Sequence, residues 1–258
     1  TGPTGSGKTT TLYAILKILN TPEVNISTIE DPIEYRLDRV NQTQVNPKTN
    51  LTFGAGLRSL LRQDPDIVMV GEIRDEETAS VAINAALTGH LVLATLHTND
   101  AASTLPRLLE MDVEAFLVAA TAKMVIAQRL VRKICEKCKS PYEVDSQKFA
   151  ELQKKYNLKL DLFELFEKIN GSKKSSFTLY KGLGCETCTG TGFKGRTSIC
   201  EVMEITDDLR KKILNKASPK EIEEAAVAEG MVTLFMDGMI KVFQGVTTVE
   251  EVLRVMRS

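Results

Sequence analysis

Neither sign of charge dominates this chain. Its 33 lysines and arginines stand against 34 aspartates and glutamates, a formal net charge of −1. That balance removes any global attraction to nucleic acid or to an anionic membrane, and only a local basic patch would supply one. Long apolar runs are missing too. The longest, residues 115–127, is interrupted by Lys123 and is too short to span a bilayer. No secretory signal is visible. What is present is ordinary for a soluble globular protein, with 43% hydrophobic and 26% charged residues. At 258 residues the chain can bury a full core and has room for more than one domain.

Against this plain background one segment stands out. Residues 2–9 read Gly2-Pro3-Thr4-Gly5-Ser6-Gly7-Lys8-Thr9, with Thr10 following. This is the G-x-x-x-x-G-K-[ST] phosphate-binding loop. Gly5 and Gly7 let the backbone wrap so that successive N–H groups point inward at an anion. The Lys8 ammonium can reach β- and γ-phosphates, and the Thr9 hydroxyl can bind Mg²⁺. The apolar residues Leu12, Ala14, Ile15, Leu16, Ile18 and Leu19 read as the helix whose N-terminus receives the phosphates. Such a loop normally follows a buried strand. The chain begins at Thr1, so the feeding strand is expected outside it.

Downstream, strands and helices alternate. Residues 24–29, 67–70 and 90–95 are short Val/Ile/Leu-rich runs, as parallel strands buried on both faces require. Helical patterns cover 53–62 and the segment between Asp75, a good N-cap, and Gly89, a good C′ residue. This is a doubly wound α/β pattern, with ligands expected at the carboxyl ends of the strands. Residues 114–132 read as one long amphipathic helix. Composition then shifts to a cysteine-bearing, Lys-rich stretch over 133–200, with too few large apolar residues for a sizeable core of its own. The tail is helical. Ser218-Pro219-Lys220-Glu221 and Thr248-Val249-Glu250-Glu251 read as capping boxes, and Gly230 closes the helix after the first. Met231, Leu234, Phe235, Met239 and Phe243 recur at helical spacing, as core residues do. Three segments follow: a P-loop core over 1–132, a tetracysteine metal-binding subdomain over 133–200 and a C-terminal helical subdomain over 201–258.

A polar cluster follows each strand. The first is Glu30-Asp31-Pro32-Ile33-Glu34, the second Gly71-Glu72-Ile73-Arg74-Asp75, the third Thr95-Leu96-His97-Thr98. Phosphoryl transfer to water needs a metal-bound triphosphate, a group that orients or deprotonates water, and a group that senses the γ-phosphate. Glu72 holds the position of a carboxylate after a hydrophobic strand, where Asp is commoner. Pro32 turns the chain so that Glu34 can project into the crevice. His97 can donate to a γ-phosphate oxygen. Each has a bland reading alone; three clusters at three strand ends beside a P-loop favour chemistry.

Five cysteines in a chain of this type point to a reducing compartment and to metal ligation over disulfides. Cys135-x-x-Cys138 and Cys185-x-x-Cys188 form two knuckles. Four thiolates make a closed tetrahedral Zn²⁺ site with no open position for catalysis. Two redox-active or merely buried cysteine pairs are the alternative. Cys200 reads as a small core residue in a short strand over 198–202.

Together the P-loop, the box Thr28-Ile29-Glu30-Asp31-Pro32-Ile33-Glu34, the segment Val68-Met69-Val70-Gly71-Glu72-Ile73-Arg74-Asp75 and the box Ala94-Thr95-Leu96-His97-Thr98-Asn99 resemble the secretion ATPase superfamily, in its type II secretion and type IV pilus branch. The cysteines, with the flanking words at 127–132 and 192–197, look like the assembly ATPases (the PilB and GspE group). Pilus retraction ATPases usually lack the four cysteines. The resemblance implies a RecA-like P-loop core and a hydrolytic motor using ATP and Mg²⁺, with structural Zn²⁺. It implies phosphate and Mg²⁺ contacts for Lys8 and Thr9, a general base at Glu34, a Walker B carboxylate at Glu72 and a γ-phosphate contact from His97. The residues themselves leave open which glutamate is the base. It further implies a homo-hexamer in the full-length protein, an N-terminal domain contributing arginines, and an inner-membrane platform protein as partner. The place implied is the cytoplasm, peripheral to the inner membrane. A second class is a nucleotide-dependent DNA-uptake or partner-binding module with little turnover. Glu34 and Glu72 argue for hydrolysis, and the charge balance argues against nucleic acid as a partner.

Overall fold

Parallel pairing organises the first half of the chain. The structure is a computed structural model and describes residues 1–156, 161–171 and 175–257. In chain order the elements are α1 (Lys8–Leu19), β1 (Ile26–Glu30), β2 (Val40–Gln44), α2 (Phe53–Leu60), β3 (Ile67–Val70), α3 (Glu76–Leu87), β4 (Leu91–Ala94), α4 (Thr104–Glu110) and α5 (Ala115–Thr121). There follow β5 (Met124–Ile134), β6 (Lys139–Asp145), α6 (Ser146–Tyr156), α7 (Leu162–Asn170), β7 (Ser176–Gly182) and β8 (Phe193–Glu204). The tail is α8 (Asp207–Leu214), α9 (Pro219–Ala228), α10 (Leu234–Phe243) and α11 (Val249–Met256).

The chain divides into two compact units: residues 1–128 with 201–231, and residues 129–200 with 232–258. The three consecutive segments expected from sequence do not coincide with these. The division passes through β5 and β8, which pair with each other, and it shares the C-terminal helices between the units.

In the first unit four parallel strands lie in the order β2-β1-β3-β4. β1 and β3 are buried along their whole length, as their apolar composition requires. Alternate residues of β1 meet different helices. Ile26 packs with Tyr13 and Leu16 of α1 in a core that also holds Ile67 and Met69. On the opposite face Ile29 touches Gly56 of α2, where any Cβ would fall 2.7 Å from the isoleucine methyl. Helices therefore cover both faces of the sheet. Asp75 caps α3 through the Thr78 N–H at 2.8 Å, and Gly89 follows its end with φ +103°.

Two elements depart from the sequence reading. The helix expected over 114–132 ends at Thr121, and β5 begins at Met124. Val125, Ile126, Val131 and Ile134 are β-branched and fit a pleated surface better than a helix. β2 was not anticipated. Its Val-Asn-Gln-Thr-Gln sequence lacks the apolar run of the buried strands, and it lies at one edge of the sheet.

The second unit has a larger core than its sequence suggested, which corrects that expectation. β6 and β7 pair antiparallel from Lys139↔Gly182 to Asp145↔Ser176. The rings of Phe149, Phe163, Phe166 and Phe177 pack edge-to-face or tilted at 5.1–6.2 Å, and Phe243 of α10 joins them. That last ring comes from a segment assigned elsewhere by sequence order. Cys200 is only half-buried, and its backbone N–H donates to Asp237 Oδ2 at 2.8 Å. It sits in a strand of twelve residues, not a short one.

The first capping box is present at Ser218 and Glu221. At the second, Thr248 caps α11, yet Glu251 does not reach back to it. Glu251 is buried and instead receives Arg132 Nη2 at 2.5 Å and a bidentate pair from Arg254, both bonds at 2.9 Å. Burial alone would raise its pKa, but the two guanidinium groups overcome this and hold it at about 2. A depressed carboxylate contributes stability above its unfolded value, near 4.5, and loses it as the pH falls toward 2. Glu251→Gln should therefore destabilise the second unit at pH 7, and the gap from wild type should close between about pH 5 and 2. Urea unfolding at a series of pH values measures this. A gap constant with pH would mean that the ion pairs contribute nothing.

Candidate functional site

The P-loop leads directly into α1. Gly2, Gly5 and Gly7 have φ of +143°, +78° and +89°, the region that L side chains avoid. At Gly2 a Cβ would also lie 2.5 Å from the Gln128 carbonyl, so glycine is required there. Thr4, Gly5 and Thr10 are exposed, Pro3 and Thr9 half-buried, and Ser6 buried with no partner for its hydroxyl. Among the described residues the N–H groups of Gly5, Gly7 and Lys8 make no hydrogen bond, and α1 has no side-chain cap. These are donors of the kind that receive an anion at a helix N-terminus. Lys8 Nζ folds back onto the carbonyls of Gly2 and Pro3, at 2.8 and 3.2 Å. Burial pushes its pKa below the usual lysine range, and the Glu72 carboxylate pulls the other way.

Glu72 stands two residues beyond β3, with its side chain nearly buried. Its place is set from both sides. The Gly71 N–H donates to the Ile29 carbonyl at 2.8 Å, Thr95 Oγ1 donates to the Gly71 carbonyl at 2.5 Å, and the Ile73 N–H donates to the Thr95 carbonyl at 2.9 Å. The carboxylate then meets His97 Nε2 at 3.1 Å and the exposed Arg74 guanidinium. Thr1 ties the loop carrying His97 to the P-loop: its hydroxyl donates to the Leu96 carbonyl at 2.9 Å and accepts from the Thr98 N–H at 3.0 Å. The structure thus brings Lys8, Glu72 and His97 together. Glu34 lies in the exposed loop after β1 and makes no hydrogen bond or ion pair with them among the described residues.

One supporting residue escaped the sequence reading. Gln128 is buried in β5, where Nε2 donates to the Ser6 carbonyl at 2.8 Å and Oε1 accepts from Thr11 Oγ1 at 2.7 Å. It braces the P-loop from behind. Its partners lie 122 and 117 residues away in sequence, so no local pattern could have revealed it.

In the second unit the sulfurs of Cys135, Cys138, Cys185 and Cys188 lie within 4.8 Å of one another. The pairs 135–185, 138–188 and 185–188 are 3.9, 3.8 and 3.7 Å apart. Tetrahedral Zn–S bonds of ~2.3 Å place sulfurs about 3.8 Å apart, so the cluster fits Zn²⁺. A disulfide would need about 2.0 Å. Gly182 and Gly192 make this approach possible, since a Cβ on Gly182 would fall 2.0 Å from the Gly192 carbonyl. Burial would push the Cys188 thiol up, but the N–H groups of Cys185 and Gly192 pull it down to about 6, favouring a thiolate.

Four parallel strands, a glycine-rich loop at the head of α1 and polar residues at the strand ends define a RecA-like P-loop fold in the first unit. A family model matches residues 1–254, and the chain belongs to the Type II/IV secretion system protein family. It is 52% identical over 253 residues to the type IV pilus assembly ATPase PilB of Thermus thermophilus, covering 98% of this chain and 27% of that protein. It is 49% identical over 257 residues to the type II secretion system protein E of Pseudomonas aeruginosa, covering 100% of this chain and 48% of that protein. The chain thus spans about a quarter to a half of the length of these curated relatives. The crystal structure of the pilus retraction motor PilT with bound ADP matches with a TM-score of 0.68 at 27% identity, covering 99% of this chain and 59% of that one. Among the described residues no helix is long and apolar enough to cross a membrane.

Gln128→Leu leaves the Ser6 carbonyl and the Thr11 hydroxyl without their partner in a buried place. The variant should lose about 1–3 kcal/mol of stability in urea unfolding of the first unit. A loss under about 0.5 kcal/mol would show that the brace is dispensable.

Proposed function

We propose that this chain is the nucleotide-hydrolysing part of a motor that drives assembly of a type IV pilus or of a type II secretion pseudopilus. One observation carries the reading. A nearly buried carboxylate, Glu72, is held at the mouth of a P-loop, 3.1 Å from His97 and within the field of Lys8. In this reading the loop over residues 2–10 holds the triphosphate, through the unpaired N–H groups of Gly5, Gly7 and Lys8 and the Lys8 ammonium. Thr9 and Glu72 would hold Mg²⁺, which when bound would supply charge neutralisation at the phosphates. His97, held by Glu72 at 3.1 Å, would donate to the terminal phosphate. Glu34, exposed and on the adjacent strand end, is the candidate base that takes a proton from the attacking water. The names of PilB and of secretion protein E support the motor reading, and the bound ADP of PilT supports the nucleotide. With it come a homo-hexamer in the full-length protein, an inner-membrane platform protein as partner, and a cytoplasmic place peripheral to that membrane. Nucleic acid is not a partner in this reading.

The four cysteines would hold Zn²⁺ as a closed structural ion, whose chemistry is to cross-link the two knuckles and nothing more. The ion and the phenylalanine cluster then share the work of folding the second unit.

Two sets of variants test this. In the full-length natural protein, Lys8→Ala should weaken ATP binding, since it removes a charge from the triphosphate. Glu72→Gln and Glu34→Gln should keep binding and lose turnover by roughly 10²–10⁴-fold. Phosphate release beside a binding titration separates these effects, and normal turnover in both glutamine variants would sink the assignment. For the metal, elemental analysis of protein purified without chelator should give close to one zinc per chain. Replacing Cys185 and Cys188 with serine should remove it and melt the second unit at lower temperature, while the P-loop unit stays folded. Structural Zn²⁺ in small peptides is worth on the order of 10 kcal/mol. Wild-type protein with far less than one zinc per chain would count against the site.

A further inference from the structure

Glu30 is a buried carboxylate that the reading above does not use. It closes β1, its residue is 2% exposed, and no cation pairs with it among the described residues. Three neutral donors surround it instead. Tyr13 Oη donates to one carboxylate oxygen, and the other receives Thr28 Oγ1 at 2.5 Å and Gln42 Nε2 at 3.1 Å. Burial of a charge without a cation is costly, and a full set of donors is what makes it tolerable.

Tyr13 belongs to α1, one turn beyond the Lys8 and Thr9 that open that helix. It is fully buried. Gln42 Nε2 also donates to the Tyr13 phenol oxygen, at 3.2 Å. The loop on either side of Glu34 is tacked down as well. Gln44 Oε1 accepts from the Ile33 N–H at 3.2 Å, Gln42 Nε2 donates to the Tyr35 carbonyl at 3.2 Å, and Gln42 Oε1 accepts from the Leu37 N–H at 2.8 Å. The Tyr35 ring stands edge-on to Tyr13, with centroids 4.7 Å apart.

We infer that Tyr13 is a positioning residue for the reaction: its phenol joins the buried Glu30 carboxylate to the Gln42 amide that holds the Glu34 loop, fixing the candidate base in register with the phosphate-binding helix. The inference rests on the reading of Glu34 as base. A helix that receives phosphate at its first turn then holds the base from its second. Gln42 and Gln44 are the reason for a polar edge strand: β2 is a rack of side-chain amides that holds the loop of residues 31–37.

The test is Tyr13→Phe, which keeps the ring and its packing on Tyr35 and removes only the bridge. In the full-length natural protein, turnover should fall by roughly 10- to 100-fold. The Kd for a fluorescent ATP derivative with Mg²⁺ should stay within about twofold of wild type. In a Glu34→Gln background the same change should cause no further loss, because the group it positions has already been disabled. A purely structural role would predict equal loss in both backgrounds, and that result overturns the inference, as does a rise in Kd that accounts for the lost activity. Wild-type turnover in Tyr13→Phe beside an inactive Glu34→Gln overturns the bridge alone. Wild-type turnover in Glu34→Gln overturns the reading of Glu34 as base, and the inference with it. If Tyr13→Phe does not fold, Glu30→Gln is scored in the same way. It preserves shape but turns one acceptor into a donor facing donors, so turnover should fall while Kd holds.

Discussion

The parallel register of β1, β3 and β4 is the constraint on which everything else depends. Ile29, Val70 and Ala94 are its last matched rungs, so the chain leaves the sheet at the same level three times. Glu30, Gly71 and Thr95 are the next residues, and the side chains of interest follow within a few positions. Parallel strands all point one way, so their ends share one edge of the sheet. An antiparallel sheet of the same sequences would scatter Glu34, Glu72 and His97 between opposite edges. The register in turn depends on burial. β1 and β3 carry apolar residues on both faces, and a slip of one residue would turn Ile26 and Ile29 away from the helices that cover them.

What the sequence made legible follows from this logic. The P-loop, the three polar clusters and the four cysteines are local words, and their placement is dictated by elements a few residues away. β3 appears over the residues its apolar run marks, and α3 begins after Asp75 for the reason that its side chain caps it. Other features were hidden for physical reasons. β2 lacks apolar alternation because two of its side chains, Gln42 and Gln44, are amides serving a loop. β5 follows an alanine-rich helix, and the pattern of buried residues along 114–132 passes from one period to the other without a glycine or proline to mark the change. The core of the second unit is built from phenylalanines at 149, 163, 166, 177 and 243, no two of which form a local motif of their own. The brace at Gln128 depends on partners distant in sequence, and the carboxylate at Glu30 on donors from three separate positions, Tyr13, Thr28 and Gln42.

The two units solve the same problem, holding a loop in a shape that chains avoid, by different means. In the first, three glycines with positive φ fold the P-loop, and neutral hydrogen bonds from Gln128 hold it. In the second, Gly182 and Gly192 pass at backbone contact, and four sulfurs converge at the spacing that one tetrahedral ion sets. Hydrogen bonds release and re-form quickly and suit a loop that must take up and discharge a ligand. A four-thiolate site has no open position and suits a part that stays as built.

The Lys8 ammonium already spans two carbonyls of its own loop. An anion arriving there does not find an idle charge. It competes with an internal solvent, the carbonyls of Gly2 and Pro3, that is always at full concentration. Affinity is then the difference between two occupied states, and a weakly charged ion gains almost nothing from the exchange. Only a ligand that presents several oxygens at once, meeting the loop N–H groups and the ammonium together, shifts that balance.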